Sequence, residues 1–262
     1  MTELKRLFFA AEIVAPWPLE FPPARILTEE NRHITLVFLG SESPHKLLQD
    51  IQKIPQPSLQ IGLGGIMKEW IFLPSKEEAH VVAANLDFLS DETPLHEYQN
   101  RLAQHLQIKE TRPFFPHITV GRGTIDVAAW QQFPCQIPFY INAIVLDESL
   151  GHSQYQPLWS SPLMAPFEEI EHTADIAFII RGATMRDLWL HAQLAMGFKS
   201  PSLVPYISRK GEFKTLDDVI QALNALVGKI DLEIGSPFKA VSYHATLKTQ
   251  NNYLEWTMII DV

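Results

Sequence analysis

Two periods of alternation run along the chain. Where apolar residues recur at every second position, or form a short run closed by turn residues, strands are predicted: Arg6–Ile13, His33–Phe38, Leu59–Leu63, Trp70–Leu73, His80–Ala83, His117–Val120 and Tyr140–Asp147. Helical spacing lies between them. Leu95, Tyr98, Leu102 and Leu106 make one apolar stripe over Pro94–Leu106, with Thr93 available as N-cap, and a second helix is predicted over Pro44–Lys53 behind Ser43. Mixed elements in this order predict an α+β or α/β domain.

The pattern breaks between Tyr155 and Pro166, where Pro157, Pro162 and Pro166 stand among serines, and a boundary or short linker is predicted there. A new series follows. It comprises a strand over Glu171–Ile180, helices over Thr184–Met196 and Leu216–Val227, and strands over Lys239–Lys248 and Tyr253–Val262 joined by Thr249–Asn252. The organisation read from the chain is therefore a first domain over residues 1–163 and a smaller one over 167–262.

Composition narrows what such a chain can be. With 262 residues, 46% of them hydrophobic and 19% charged, it can bury a real core and is not disordered as a whole. No apolar run approaches the roughly 18 residues that span a bilayer, so a soluble protein with no membrane partner is expected. The segment Met1–Val14 imitates a secretory signal only briefly, because Glu12 interrupts it. Cys135 is the sole cysteine, which excludes an intramolecular disulfide and a Cys-based zinc site and makes the cytoplasm the default setting. The formal net charge of −9 argues against coating long nucleic acid. Residues 1–165 hold 12 basic and 18 acidic side chains and 166–262 hold 9 and 12, so both parts are acidic. Any RNA-directed function would have to rest on a chain end. The run Gly62-Leu63-Gly64-Gly65 lacks the Lys-Ser/Thr and helix start of a P-loop.

The sharpest feature is an internal echo. Arg32-His33-Ile34-Thr35-Leu36 and Pro116-His117-Ile118-Thr119-Val120 each place His and Thr two apart in an apolar strand. Residues i and i+2 of a strand share a face, so each segment presents an imidazole beside a hydroxyl while its apolar residues pack behind. One His-x-Thr strand is ordinarily a packing histidine; the repetition is what points to chemistry. Brought into one cleft, two imidazoles can divide general-base and general-acid work at a phosphodiester, since a pKa near 6.5 lets neutral and protonated forms coexist. Thr35 and Thr119 can donate to the non-bridging oxygens, and Arg122, three after Thr119, can add a charge-assisted contact. Arg32 and Arg112 are further local cations. Phe114 and Phe115 are candidates to stack a base, with at least one of them expected in the core.

These segments resemble the signature motifs of the two-histidine (2H) phosphoesterases, in particular the RNA 2′,3′-cyclic phosphodiesterase (2′-5′ RNA ligase) family. The resemblance covers roughly residues 4–163 and includes Arg6-Leu7-Phe8-Phe9-Ala10, the continuation Val37-Phe38-Leu39-Gly40, the approach Arg112-Pro113-Phe114-Phe115-Pro116 and Leu146-Asp147-Glu148-Ser149. It implies a bilobal α+β fold with pseudo-twofold symmetry and hydrolysis of a terminal 2′,3′-cyclic phosphate to a 2′-phosphomonoester without a cofactor. His33 and His117 would be the acid and base, in an order the sequence leaves open, and Thr35, Thr119 and Arg122 would bind phosphate. The physiological partner implied is RNA with a cyclic-phosphate end, such as a tRNA half. Non-catalytic end binding and 2′-5′ ligation are the alternatives.

In the second part, Asp175 leaves a strand region and Asp261 closes the last strand. If the first and last strands of this part are neighbours, two carboxylates and the Val262 terminus could converge on Ca²⁺, Mg²⁺ or Mn²⁺. Glu171-His172-Thr173-Ala174-Asp175, Lys239-Ala240-Val241-Ser242-Tyr243-His244 and the Ile260-Asp261-Val262 ending resemble archease, over roughly 167–262. That resemblance implies a small α+β domain, Asp175 and Asp261 as metal-associated residues, and activation of a GTP- and metal-dependent tRNA-splicing RNA ligase. The segment between Val227 and Pro237 is shorter than the family's middle. His45, His80, His96, His105, His152 and His191 fall in no ligand spacing and are expected on the surface or in ordinary packing.

Overall fold

The computed structural model describes residues 4–108, 113–173, 175–243, 246–250 and 252–262. Arg112 and His244 lie outside the described residues. Among those described, the first half forms β1 (Lys5–Val14), β2 (Arg25–Ile26), β3 (His33–Glu42), α1 (Pro44–Gln49), β4 (Gly64–Leu73), β5 (Val81–Phe88), α2 (Thr93–His105), β6 (His117–Arg122), α3 (Val127–Gln132), β7 (Ile137–Gly151) and β8 (Gln154–Pro162). The second half forms β9 (Phe167–Ile170), β10 (Ile176–Gly182), α4 (Met185–Lys199), α5 (Leu216–Ile234), β11 (Ala240–Val241), β12 (Leu247–Gln250) and β13 (Tyr253–Asp261).

The first sheet runs β1-β3-β6-β5-β4-β7-β8, and a further pairing of β1 with β7 curls it into a barrel-like ring. Closure is possible because the 15-residue β7 is long enough to pair with β4 through Ile137–Tyr140 and with β1 through Tyr140–Glu148. Both faces of β1 are covered. Leu7, Phe9, Ala11 and Ile13 join the main core with Ile34, Leu36, Ile118, Ile141, Ile144 and the α2 stripe Leu95, Tyr98 and Leu102, while Phe8 and Ala10 pack with Ala143 and Val145 on the other face. Two buried faces explain why β1 reads as an unbroken apolar run.

The segment Tyr155–Pro166 is not a linker over most of its length, which corrects the sequence expectation. Residues Gln154–Pro162 are strand β8, paired with β7 from Gly151 back to Ala143. Its prolines are tolerated because β8 sits at the end of the sheet path, where a missing N–H costs no ladder bond on the open side. The crossing to the second sheet takes only the residues between Pro162 and Phe167. Leu59–Leu63 is likewise not a strand. It makes a single bridge, Ile61 to Met164, and it is held close because Gly62 has no side chain: a Cβ there would lie 1.8 Å from the Ile141 carbonyl oxygen. The β-strand expected from Glu171 begins at Ile176, and the one expected over Lys239–Lys248 is two short pieces, β11 and β12.

The second sheet has the order β11-β13-β10-β9, with β12 also on β13. Its helices start where Thr184 and Thr215 cap them, each with the Asp three residues on completing a reciprocal box. Helix α4 is buried along Leu188–Gly197, because it is covered on two sides. One is its own sheet; the other is the first half, whose Leu89, Ile66 and Tyr140 join the second core.

Candidate active site

The two His-x-Thr strands meet at one point. β3 and β6 are antiparallel neighbours through the pair Ile34–Ile118, both fully buried. Continuing that register one residue each way sets His33 across from Thr119 and Thr35 across from His117. Because Ile34 and Ile118 point into the core, all four polar side chains stand on the opposite face, related by a local twofold axis. The symmetry extends to the rings' anchors. His117 Nδ1 lies 2.8 Å from the Phe115 carbonyl oxygen, and a ring N–H of His33 is bonded to the backbone of Asn31, in each case two residues upstream. A carbonyl can only accept, so Nδ1 of His117 is the protonated nitrogen and Nε2 is left to exchange a proton with a ligand.

A cleft of about 480 Å³ opens over this face, walled by Arg6, Phe8, Arg25, His33, Thr35, Phe38, Thr119, Arg122, Ser149, His152, Ser153 and Tyr155. It holds three guanidinium groups and no carboxylate, the reverse of the molecule's overall charge. Arg122 Nε is buried with no hydrogen-bond partner, a donor that an anion would satisfy. Arg25, by contrast, is tied to the His152 carbonyl oxygen and to Ser153 Oγ. His33 is clamped between rings, 4.9 Å from Phe8 and 4.9 Å edge-on from Tyr155. Burial, with smaller contributions from the Arg122 and His117 charges, pushes its pKa down to about 4, against a hydrogen bond to Asn31 that acts the other way.

Not every residue singled out from sequence faces this cleft. Arg32 turns away: it is 5% exposed, donates from Nε to the Leu27 carbonyl oxygen at 2.9 Å, and lies 4.4 Å over the Trp17 ring. Arg32 precedes the first residue of β3 and lines the neighbouring cavity instead of the cleft. Phe114 packs on the main core, whereas Phe115 is exposed and stacks at 5.8 Å on His117. Arg6, Phe8 and Phe38 were not singled out for the site, although the period-two rule on Arg6-Leu7-Phe8 puts Arg6 beside Phe8. His152 lines the cleft, and its φ of 52° at the β7–β8 turn gave no sequence signal.

In the second sheet, β10 pairs with β13 through Ile176–Ile260, and one step further sets Asp175 opposite Asp261. His172 Nδ1 is 3.8 Å from Asp175 Oδ2, and Lys239 Nζ donates to the Val262 carbonyl oxygen. Among the described residues no three His, Cys, Asp or Glu side chains converge as a cation site. The described residues bring two facing carboxylates to this end of the sheet, beside the Lys239 ammonium and the Val262 terminus.

Comparison with protein-family models and with curated proteins gives no match. Among solved structures the chain is similar to the E. coli protein LigT in apo form, at 24% identity over 62% of this chain and 99% of that one, with a TM-score of 0.45. It is similar as well to LigT complexed with NADP+, at 26% identity, 62% and 99% coverage and a TM-score of 0.44. A structure described as a phosphoesterase aligns at 22% identity over 62% of this chain and 99% of that one, with a TM-score of 0.43.

Proposed function

We propose that this protein hydrolyses a terminal RNA 2′,3′-cyclic phosphate to a 2′-phosphomonoester, with His33 and His117 as base and acid. The observation that supports the reading is the Ile34–Ile118 register, by which both imidazoles and both threonine hydroxyls share one sheet face, with His33, Thr35 and Thr119 lining a carboxylate-free, arginine-walled cleft. Phosphate oxygens accept from Thr35, Thr119 and the unpartnered Arg122 Nε, and these contacts strengthen as charge gathers on them in the transition state. His33, neutral above about pH 4, takes a proton from water as its oxygen bonds to phosphorus. The P–O3′ bond breaks, and His117 supplies the proton that the departing 3′ oxygen needs. Solvent then restores both rings. Product analysis on a cyclic-phosphate oligonucleotide tests this: His33→Ala and His117→Ala are each expected to lose about 10²- to 10⁴-fold in rate, and full activity in either would refute the assignment.

A role for the second sheet in activating an RNA ligase is a separate proposal, supported by its archease-like segments and by the facing of Asp175 and Asp261. The measurement is the guanylylation rate of a purified tRNA-splicing ligase with the intact chain added. No acceleration, or acceleration unchanged by Asp175→Ala and Asp261→Ala, goes against it.

A further inference from the structure

A second cavity of about 320 Å³ adjoins the cleft and shares His33 and Tyr155 with it. Its character is opposite. Where the cleft has guanidinium groups and no acid, this cavity is walled by Glu12, Asp147, Glu29 and Glu30, with Arg32 and the Trp17 ring. The cyclic-phosphate chemistry proposed above uses none of these groups.

Two of them, Asp147 and Arg32, are buried residues. Asp147 is 7% exposed and lines this cavity. It stands on the same face of β7 as Val145, and burial first, then the nearby Glu12 charge, raises its pKa to about 6. Glu12, cross-strand from His33, accepts from Asn142 Nδ2 at 3.0 Å through one oxygen. Arg32 lies 4.4 Å over the Trp17 ring and donates from Nε to the Leu27 carbonyl oxygen, and its Nη1 is buried with no partner. A buried guanidinium nitrogen without an acceptor is costly, and a carboxylate lining the same cavity gains from a donor. A ligand presenting donors on one edge and acceptors on another would satisfy both.

We propose that this cavity is a base-recognition subsite for guanine in the terminal nucleotide. Guanine is planar and can lie against an aromatic wall such as the Tyr155 ring. Its N1–H and N2–H₂ edge donates to a carboxylate, and its O6 and N7 accept from an arginine. Adenine, cytosine and uracil each lack part of that pairing. The location agrees, because a cyclic phosphate at His33 has its own ribose, and therefore its own base, within one sugar's reach of the adjoining cavity. This inference rests on the phosphodiesterase reading for its geometry, and the experiment separates the two.

With the intact protein, kcat/KM is measured on the 2′,3′-cyclic phosphates of guanosine, adenosine, cytidine and uridine. Guanosine is expected to lead by roughly tenfold or more. Similar values for all four overturn the guanine subsite and leave the hydrolase standing. If none is hydrolysed, the hydrolase reading fails, and titration with 2′-GMP against 2′-AMP decides the subsite by itself: equal affinity overturns it. Asp147→Asn is expected to reduce the guanosine-to-adenosine ratio about tenfold, and Glu12→Gln serves if that variant does not fold. A ratio unchanged in the folded variant also overturns the proposal.

Discussion

At the scale of single residues, the distinctive property of this site is that one histidine is partly desolvated. His33 is wedged between Phe8 and Tyr155, and its pKa near 4 keeps the imidazole neutral where an unperturbed ring would be partly charged. The sign of the consequence follows. A base must be neutral to act, so kcat/KM is expected to hold as the pH falls through 6.5 and to decline only near pH 4. A bound phosphate favours the imidazolium, so the acid limb of kcat should lie at higher pH than that of kcat/KM. If kcat/KM instead falls as pH rises above about 4, His33 is the acid and the roles are exchanged. Asp147 gives a residue-scale test through stability. Its folded pKa of about 6 lies above the ordinary aspartate value of 3.8, so its protonated form is favoured in the fold, and that contribution is present below pH 3.8 and lost as pH rises through 6. The groups around it are Glu12 on β1, His33 on β3, Tyr155 at the start of β8, and Glu29, Glu30 and Arg32 on the cavity wall. Asp147→Asn removes the buried charge, so its Tm should exceed that of the parent at pH 8 by an amount equivalent to about 2–3 kcal/mol. The gap should close by pH 4; a gap independent of pH would contradict the assignment.

At the scale of elements, the strands with one consistent reading were legible and those whose form depends on a distant neighbour were not. β3 and β6 announce themselves because His, Thr and the apolar residues between them obey period two. α4 and α5 announce themselves through Thr184 and Thr215, whose capping is a local event. The edge strand β8 was hidden because Pro157 and Pro162 ordinarily mark turns, and only the presence of β7 beside it makes it a strand. Leu59–Leu63 failed in the other direction: its apolar run comes from packing under Ile141, not from a ladder. Arg6 and Phe8 in the cleft were within reach of the alternation rule, whereas His152 comes to the cleft by a turn between β7 and β8 that no pattern specifies. The contact between the two sheets is also non-local. Gly64 in β4 lets α4 approach so closely that a Cβ would lie 2.4 Å from Leu194 Cδ2. Leu194 is itself fully buried, so Leu194→Ala is expected to cost about 2–5 kcal/mol. Denaturant unfolding followed by fluorescence checks this, and a loss under about 0.5 kcal/mol, the level of an exposed substitution, would show that α4 does not pack as described.

At the scale of the whole molecule, the charge distribution sets what kind of nucleic acid can be held. The chain carries −9 overall, yet the cleft concentrates Arg6, Arg25 and Arg122 with no acid among its walls. A phosphate at the cleft therefore meets local positive charge whose reach salt screens to about one Debye length, some 10 Å at 0.1 M salt. The terminal phosphate gains from this and distant phosphates do not. For a single strand, log K falls with log salt at about 0.7 per phosphate neutralised, so an end-binding protein with one to three contacts should show a slope of about 1 to 2. The slope should also be independent of RNA length. Measuring KM across a salt series with cyclic-phosphate RNAs from a dinucleotide to about twenty nucleotides distinguishes the cases: a protein that tracks the backbone would give a slope growing with length until its site is filled. Arg122→Gln should lower the slope by about 0.7 at every length, because it removes one phosphate contact common to all of them. A slope that steepens with length would place phosphate contacts outside the cleft, on a surface whose net charge makes such contacts unfavourable.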